Sequence, residues 1–164
     1  MTQTQITASK RFFQPEVSVY LWVPTIAAPT GIPTRAELTA GTELSAEVAD
    51  IAGFTGTQNF FDSPDFNHRF VSKLPGRVTA ADSSLTFYGS EDGQDIRSVL
   101  TRGDRGFLVI MDGGDVAGYL MDIFDVQVGS LSPQRSVDEK AFEIVVSFGI
   151  MHPPVESVAI PAAA

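Results

Sequence analysis

Side chains suited to catalysis or cofactor binding are few in this chain of 164 residues. There is no cysteine, so a disulfide framework, a thiol nucleophile and a cysteine-based metal site are excluded. The two histidines, His68 and His152, lie beside proline-bearing segments, with no serine or aspartate at the spacing of a catalytic motif. We therefore predict no catalytic residue and no bound cofactor.

Two acidic, glycine-rich segments, Glu91–Asp95 and Asp112–Asp115, raise the question of calcium binding. A calcium loop places several oxygen ligands at set positions, as in D-x-D-x-D-G with a distal glutamate, and neither segment matches. We interpret both as turns and predict no metal site. Gly103 and Gly106 lack the Gly-Lys-Ser/Thr of a phosphate-binding loop. The other carboxylates are dispersed, so the sequence identifies no pair for glycoside hydrolysis.

The overall charge argues against two classes of ligand. The net charge is −9, the isoelectric point is about 4.5, and the eleven lysines and arginines are scattered along the chain. Nucleic acids and anionic membranes are bound through basic patches, so we predict specific binding to neither. The hydrophobic content of 43% suits one domain that buries roughly 70% of its unfolded surface. No signal peptide and no membrane-spanning run are visible.

A strand–helix–strand unit lies at the middle of the chain. Alternating apolar residues predict a half-buried strand over 84–88. Apolar residues at i, i+3 and i+4 predict a short helix over 95–100, capped by Asp92 or Asp95. A continuous apolar run predicts a strand covered on both faces over 106–111. The helix should therefore lie on a sheet to which both strands belong.

The rest of the chain adds strands to this unit. A capping box formed by Thr34 and Glu37 predicts one or two helical turns that end at Gly41. We predict Pro75–Gly76 as a turn and Ser132–Asp138 as a loop. Further strands are predicted at 17–23, 69–74, 119–131 and 140–150. Residues 43–54 allow either a helix or a strand, and we favour a strand from about residue 47. Six or seven strands joined by short turns indicate a mainly β fold, an antiparallel sandwich or barrel with a short flanking α-helix.

One segment, Phe60–Arg69, has an unusual composition for a loop. It contains three phenylalanines and a proline among polar residues. Loops are normally polar because nothing covers them, so exposed aromatic side chains make this segment a candidate for docking on another surface. The alternative is a long loop that folds back on the core of its own domain.

Seven segments resemble motifs of the major tail tube proteins of long-tailed, non-contractile (siphovirus-type) bacteriophages that infect actinobacteria. The resemblance keeps order and spacing and runs from about Val17 to Ile160, nearly the whole chain. The matching segments are Ile32–Leu44, Ile51–Phe54, Arg69–Gly76, Asp82–Tyr88, Asp95–Leu100, Met111–Gly118 and Pro133–Val137.

The resemblance implies a structural virion protein with no enzymatic activity. In that family, six copies of a β-sandwich with a flanking helix form a ring, and rings stack into the tail tube. Inner strands of the six subunits join into one barrel around a bore, through which genomic DNA passes without specific binding. If each subunit contributes about four strands, 24 strands at about 4.8 Å spacing give a radius near 18 Å, wide enough for duplex DNA.

The resemblance also implies partners and a location. The partners are further copies of the chain, a tape measure protein inside the tube, and tail tip and tail terminator proteins at its ends, with no membrane. The protein would be assembled in the host cytoplasm and reside in the virion. We expect residues 1–164 to form a single tail tube domain, with 1–15 as a flexible N-terminal arm and 152–164 as a Pro/Ala-rich tail.

Two sets of residues are candidates for the assembly surfaces. Contacts between subunits are expected at three aromatic residues, Phe60, Phe61 and Phe66. The hairpin of the strands 119–131 and 139–150 is the first choice for the wall of the bore. Its candidate lumen-facing residues are Asp122, Gln127, Glu143 and Ser147.

Three other functions remain open at this point. One is the inner tube protein of a contractile tail or injection system, which shares the ring architecture. Another is a β-sandwich module that binds carbohydrate, for which Tyr20 and Trp22 are the only visible aromatic pair, although core or interface positions suit them better. The third is a hydrolase built on a β-sandwich.

Overall fold

The computed structural model describes residues 6–162, and these residues form a mainly β, antiparallel fold with two short α-helices and one 3-10 turn at Ser45–Glu47. The predicted fold class is confirmed. The helices are α1 (Arg35–Ala40) and α2 (Ile96–Val99). The strands are β1 (Val19–Val23), β2 (Thr42–Glu43), β3 (Val48–Ala52), β4 (Gly56–Ser63), β5 (Ser72–Ala80), β6 (Ser83–Tyr88), β7 (Arg105–Met111), β8 (Leu120–Gln134), β9 (Glu143–Ile150) and β10 (Val155–Ala159).

Eight of these ten strands form one curled sheet. Its order is β2-β1-β7-β8-β9-β6-β3, and β10 pairs with β8. The edge strands β2 and β3 are joined by the turn at Ser45–Glu47, and the chain from Glu43 to Val48 spans at most about 17 Å. A flat sheet of this order would hold its edges about 29 Å apart, at roughly 4.8 Å per strand. The sheet therefore has to curl toward closure.

The curled sheet has apolar residues on both faces of β1, β7 and β8, and they form two cores. The core inside the curl consists of Trp22, Leu44, Phe54, Leu85, Phe87, Ile96, Leu100, Leu108, Ile110, Phe124, Val126, Val128, Ile144, Val146 and Phe148. The outer core lies on the opposite face: Leu21, Val23, Ile26, Leu38, Val109, Met111, Met121, Ile123 and Ile160. The alternation predicted for strands β1, β6, β8 and β9 is thus confirmed, as is the two-sided burial of β7.

Helix α1 begins at the predicted capping box. The Glu37 backbone N–H donates to Thr34 Oγ1, and the Thr34 N–H donates to Glu37 Oε2 at 2.7 Å. The Glu37 carboxylate also accepts from the Ala27 N–H, so it holds the chain before the helix. Arg35 makes two hydrogen bonds to the Asp115 carboxylate, at 2.5 and 2.7 Å. These contacts fix the position of the helix, and Leu38 on its inner side packs in the outer core.

Helix α2 depends on a buried aspartate. The Asp95 side chain accepts from the backbone N–H groups of Ser90 and Arg97 and from the Arg97 guanidinium, at 2.6 Å for the shortest contact. The Arg97 hydrogen bonds hold the pKa of Asp95 well below its ordinary range. Ile96 of this helix and Leu100, its C-cap, lie in the inner core as the spacing predicts, but Val99, the third residue of the predicted face, is exposed.

Two local predictions are wrong. Pro75–Gly76 is not a turn but part of β5, where the register against β4 shifts by one residue, as in a β-bulge. Strand β8 continues through Gln134, so the predicted loop after it starts three residues later. The two strands of the central unit, β6 and β7, belong to one sheet as predicted, with β8 and β9 between them.

The predicted Pro/Ala-rich tail, 152–164, also contains a strand. Since β9 stops pairing with β8 at Val126, the first part of β8 has an open edge, and β10 pairs there. This brings Ile160, only 2% exposed, into the outer core. Residues 1–5 of the expected N-terminal arm and residues 163–164 of the tail lie outside the described residues, and 6–13 are exposed and without regular structure.

Replacing Asp95 by asparagine is expected to lower the free energy of unfolding by about 1–3 kcal/mol at pH 7, because charge-assisted hydrogen bonds to a buried acceptor are lost. The folded-state pKa of Asp95 is depressed, so its contribution is present above about pH 4, the unfolded value, and is lost as the pH falls below it. Urea unfolding followed by the fluorescence of Trp22, the single tryptophan, measures this.

The matched control is Glu91→Gln, an exposed carboxylate in the preceding turn. At each pH from 3 to 7, this variant should have the same free energy of unfolding as the wild type. A difference between wild type and Asp95→Asn that stayed constant across that range would contradict the role of the Asp95 charge.

Candidate assembly surfaces

The ionisable groups form no recognisable reactive centre among residues 6–162. No three histidine, aspartate or glutamate side chains in this range gather as a metal site would require. His68 contacts Asp65 at an exposed hairpin tip, and His152 contacts Asp125 at 2.5 Å, each without a serine in the contact. No helix in the described part of the chain is long and apolar enough to cross a membrane.

The most unusual feature is a hairpin formed by β4 and β5, which we call the arm (residues 56–80). Its strands pair only with each other, as a separate two-stranded sheet. Phe60 and Phe61 therefore lie in a strand and not in the predicted loop. They are 60% and 55% exposed, and Phe66 at the tip is fully exposed. The alternative in which this segment folds back on its own core is wrong.

Both faces of the arm carry exposed apolar side chains. Strand neighbours point to opposite faces, and directly paired residues share a face. Phe60 pairs with Pro75, and Val78 lies on the same face. Phe61 pairs with Leu74 on the opposite face. Sequence reasoning missed Leu74 and Val78, because the pairing that brings them beside the phenylalanines joins residues 13 to 20 positions apart.

A second surface is the outward face of four neighbouring strands: β3, β6, β9 and the last part of β8. Along β6 and β9, buried residues alternate with half-exposed polar ones. We call the latter the polar face. Its paired positions are Asp50, Ala52, Ser84, Thr86, Tyr88, Gln127, Ser132, Gln134, Glu143, Val145 and Ser147.

Three of the four lumen candidates lie together on the polar face, and one does not. Gln127, Glu143 and Ser147 point away from the inner core. Asp122 pairs with Ile110, a residue of the inner core, and so it points to the opposite face of β8. Asp122 and Gln127 are an odd number of residues apart in one strand, which makes a shared face impossible. The expectation of one wet face with all four is therefore wrong for Asp122.

The four strands of the polar face end in two open edges. β3 pairs with β6 on one side, and within the described residues no strand pairs with its other side. The pairing of β7 with β8 stops at Gln127, and no other strand of residues 6–162 pairs with residues 130–134 of β8 on that side. An open edge is a template for pairing with another chain.

The sequence model of one protein family, described as phage tail tube protein, matches residues 7–163. The chain belongs to this phage tail tube family. It is therefore a structural component of a phage tail, in a family that assembles into oligomeric tail structures. A search of the curated proteins found no match.

The tail tube protein also resembles a solved structure. A chain of the cryo-EM structure of the anti-feeding prophage (AFP) baseplate, 6-fold symmetrised, superposes with a TM-score of 0.53 at 12% sequence identity. The superposition covers 94% of this chain and 98% of the other. At this identity the similarity shows a shared fold.

The arm of the tail tube protein is fixed at its base by buried contacts. The ring of Phe54 lies in the inner core, and its centroid is 5.4 Å from the centroid of the Phe124 ring. Its backbone N–H donates to Ser83 Oγ at 2.9 Å, and the Ser83 hydroxyl donates to the Ala81 carbonyl. One buried hydroxyl thus holds both ends of the arm where they leave the sheet.

The aromatic pair that would favour carbohydrate binding is not a surface platform. Trp22 is 5% exposed and belongs to the inner core, and Tyr20 packs partly buried against that core. The core interpretation of these residues is confirmed.

Gly53, just before this anchor, is expected to tolerate no side chain. Its φ is +81°, and a Cβ would lie 2.3 Å from the Asp82 carbonyl oxygen. Gly53→Ala should lower the free energy of unfolding by roughly 2–5 kcal/mol, from backbone strain plus overpacking. Gly93→Ala is the control: φ is similar, +77°, but nothing lies within 4 Å of the new Cβ, so only about 1 kcal/mol is expected. Equal losses in the two variants would contradict the clash.

Proposed function

We propose that this protein forms hexameric rings that stack into the tail tube of a long-tailed, non-contractile phage of actinobacteria. The tube is the conduit through which genomic DNA is ejected into the host. The observation that carries the proposal is the four-stranded sheet with a polar outward face and two open edges.

Ring closure satisfies those open edges. When the β3 edge of one copy pairs with residues 130–134 of the next, the backbone groups of both edges gain partners. Six copies contribute about 24 strands, and at about 4.8 Å spacing the barrel has a radius near 18 Å before strand tilt. The sixfold symmetry named for the baseplate neighbour supports the choice of six.

The polar face then lines the bore. Gln127, Glu143 and Ser147 are its lumen-facing residues, among hydroxyl and amide side chains. The paired positions of the polar face include the carboxylates of Asp50 and Glu143. Two cations lie beside it: Lys140, whose ammonium is 3.6 Å from the Glu143 carboxylate, and Arg105, which pairs with Gln127 at the margin of the face. Phosphate groups are gripped by clusters of cationic side chains, so a wall with two separate cations at its margin lets duplex DNA slide.

The arm supplies contacts between subunits through Phe60, Phe61 and Phe66. Large exposed apolar surfaces are rare on monomers and are typical of obligate interfaces. The other partners in this proposal are a tape measure protein in the bore and the tail tip and tail terminator proteins at the two ends. Assembly takes place in the host cytoplasm, and the protein acts without catalysis.

A second candidate is the inner tube protein of a contractile tail or injection system. The shared fold with a chain of the anti-feeding prophage baseplate favours it. A sheath around the tube in native particles would identify this function, and bare tubes would identify the first.

Electron microscopy of the concentrated protein, beside its native particles, tests the proposal. Hollow tubes of constant bore, with sixfold end views and a regular axial repeat, are expected. Absence of tubes at every concentration, together with absence of the protein from the tail of any particle, would overturn it.

Aspartate in place of Phe61 should block tube growth and leave the monomer folded, since this ring makes no contribution to the core of its own subunit. Circular dichroism and Trp22 fluorescence check the fold, and electron microscopy counts the tubes. Phe61→Leu is the matched control, because it keeps an apolar side chain, and it should still form tubes. An unfolded Phe61→Asp monomer would contradict the exposed position of the arm.

Labelling of single cysteines can locate the bore, because the natural chain has no cysteine and gives no background. Glu143→Cys, coupled to an electron-dense maleimide before assembly, should place extra density inside the bore. Asp122→Cys is the comparison from the opposite face of the sheet and should place density elsewhere. Density outside the bore for Glu143→Cys would contradict the assignment of the polar face.

A further inference from the structure

Strand β8 contains an extra residue at the point where its open edge begins. Its regular pairing with β9 is interrupted between Val128 and Leu131. There, two residues of β8, Gly129 and Ser130, lie opposite one residue of β9, Ser147. This arrangement is a β-bulge, and a bulge bends its strand and increases the local twist.

The Ser147 hydroxyl holds both residues of the bulge. The Ser130 backbone N–H donates to Ser147 Oγ at 2.9 Å, and the two hydroxyl oxygens are 2.8 Å apart. A Cβ on Gly129 would lie 2.8 Å from Ser147 Oγ, so the absence of a side chain there leaves room for this hydrogen bond. From another segment, Arg102 Nε donates to the Gly129 carbonyl at 3.0 Å. Two separate parts of the chain therefore fix one bulge.

The turn that carries Arg102 is itself fixed by hydrogen bonds. Thr101 donates its backbone N–H and its hydroxyl to Asp104 Oδ2, at 2.8 and 2.7 Å, and these hydrogen bonds hold the pKa of Asp104 below its ordinary value. The turn also continues the ladder beyond the end of β7. The Gly103 N–H donates to the Val128 carbonyl, and the Val128 N–H donates to the Asp104 carbonyl, at 2.8 and 2.9 Å. Arg102 extends this series by one residue, to the start of the open edge.

The bulge is also the place where β8 leaves β7 and continues in the polar face. The first part of β8 pairs with β7 as far as Gln127, and the last part, from Leu131, pairs with β9. Strands that pass from one layer of a fold to another do so at bulges or bends. The bulge therefore sets the direction of the open edge relative to the body of the subunit.

We propose that this bulge, held by Ser147 and Arg102, fixes the number of subunits in the ring. The inference rests on the proposed function, in which the open edge of β8 pairs with β3 of the next copy. Because the bulge sets the direction of that edge, it sets the angle at which the next subunit is added. Ser147 is thus a positioning residue within the wall of the bore.

The angle between subunits has to be accurate for the bore to be constant. Six subunits close a ring when each turns the wall by about 60°, whereas five need about 72° and seven about 51°. A deviation of roughly 10° per subunit is therefore enough to change the count. Neighbouring strands in ordinary sheets differ in relative rotation over a range of about 10° to 35°. Strand pairing alone leaves more freedom than a single ring size allows, and the fixed bulge removes that freedom.

Ser147→Ala tests this role, because alanine keeps the strand and removes only the hydroxyl. We expect tubes with a changed or mixed number of subunits per ring. Each subunit gained or lost adds or removes about four strands and changes the backbone radius by about 3 Å. Cryo-electron microscopy of tube cross-sections measures the count and the radius, and circular dichroism checks the fold of the monomer. A change in stability alone would move neither the count nor the radius.

Deletion of Gly129 is a second variant with a larger expected effect. Removing one residue of the bulge lets β8 pair with β9 continuously, and the pairs on both sides keep their present partners. The bend is lost, while the inner-core side chains stay on their face of the strand. We expect none of the tubes formed by this variant to keep the wild-type count. Ser147 is half-exposed and belongs to neither core, so Ser147→Ala is expected to fold and decides alone if the deletion variant does not.

Ser136→Ala is the matched control. It also replaces a serine that makes two hydrogen bonds, one to the Asp138 carboxylate and one from the Asp138 backbone N–H, but these lie in the loop after β8. The number of subunits per ring and the radius should stay as in the wild type.

Tubes of wild-type count and radius from Ser147→Ala would overturn the inference. Folded Ser147→Ala monomers that form no tubes would also overturn it, because the bulge would then be needed for pairing and not for the angle. Absence of tubes from the unsubstituted protein would instead be the failure of the proposed function, and the inference would fall with it.

Discussion

The short connection between β2 and β3 is the constraint on which the rest of the structure depends. Three residues of 3-10 turn, Ser45–Glu47, tie the two edges of the sheet together and force it to curl. The curl encloses the inner core and turns the backs of β1, β7 and β8 outward, where α1 and β10 must cover a second core. It also turns the polar backs of β6 and β9 toward solvent.

The curled sheet separates a part of the subunit whose polar and apolar groups are satisfied internally from a part whose groups are not. Buried side-chain polar atoms of the described residues all have hydrogen-bond partners, and both cores are covered. The groups that are not satisfied internally are the backbone groups of the two open strand edges and the exposed apolar side chains of the arm. Another molecule is needed to pair or cover them. A stable body with unpaired strand edges and an exposed apolar hairpin is typical of a protein that functions as a subunit of an assembly.

Charge in this acidic protein has two separate uses. Asp95 and Asp115 are paired with arginines inside the subunit, where they cap α2 and hold α1. Most other carboxylates are exposed and keep subunits apart unless apolar surfaces join them. The polar face is lined mainly by hydroxyl and amide groups, which suits a surface past which a polyanion moves.

The sequence by itself determined the local structure. Alternation placed β1, β6, β8 and β9 and their core residues, and a continuous apolar run placed β7. The Thr34 capping box and Asp95 marked the two helices. All of these signals lie within a few neighbouring residues of the chain. Only the tertiary structure decided which strands are neighbours, that Asp122 points away from the face of the sheet that carries Gln127, and that Phe60 and Phe61 stand exposed on opposite faces of an arm. The strand that pairs with a given strand, and the residues that pack on each of its faces, come from distant parts of the sequence. A local pattern carries no information about them.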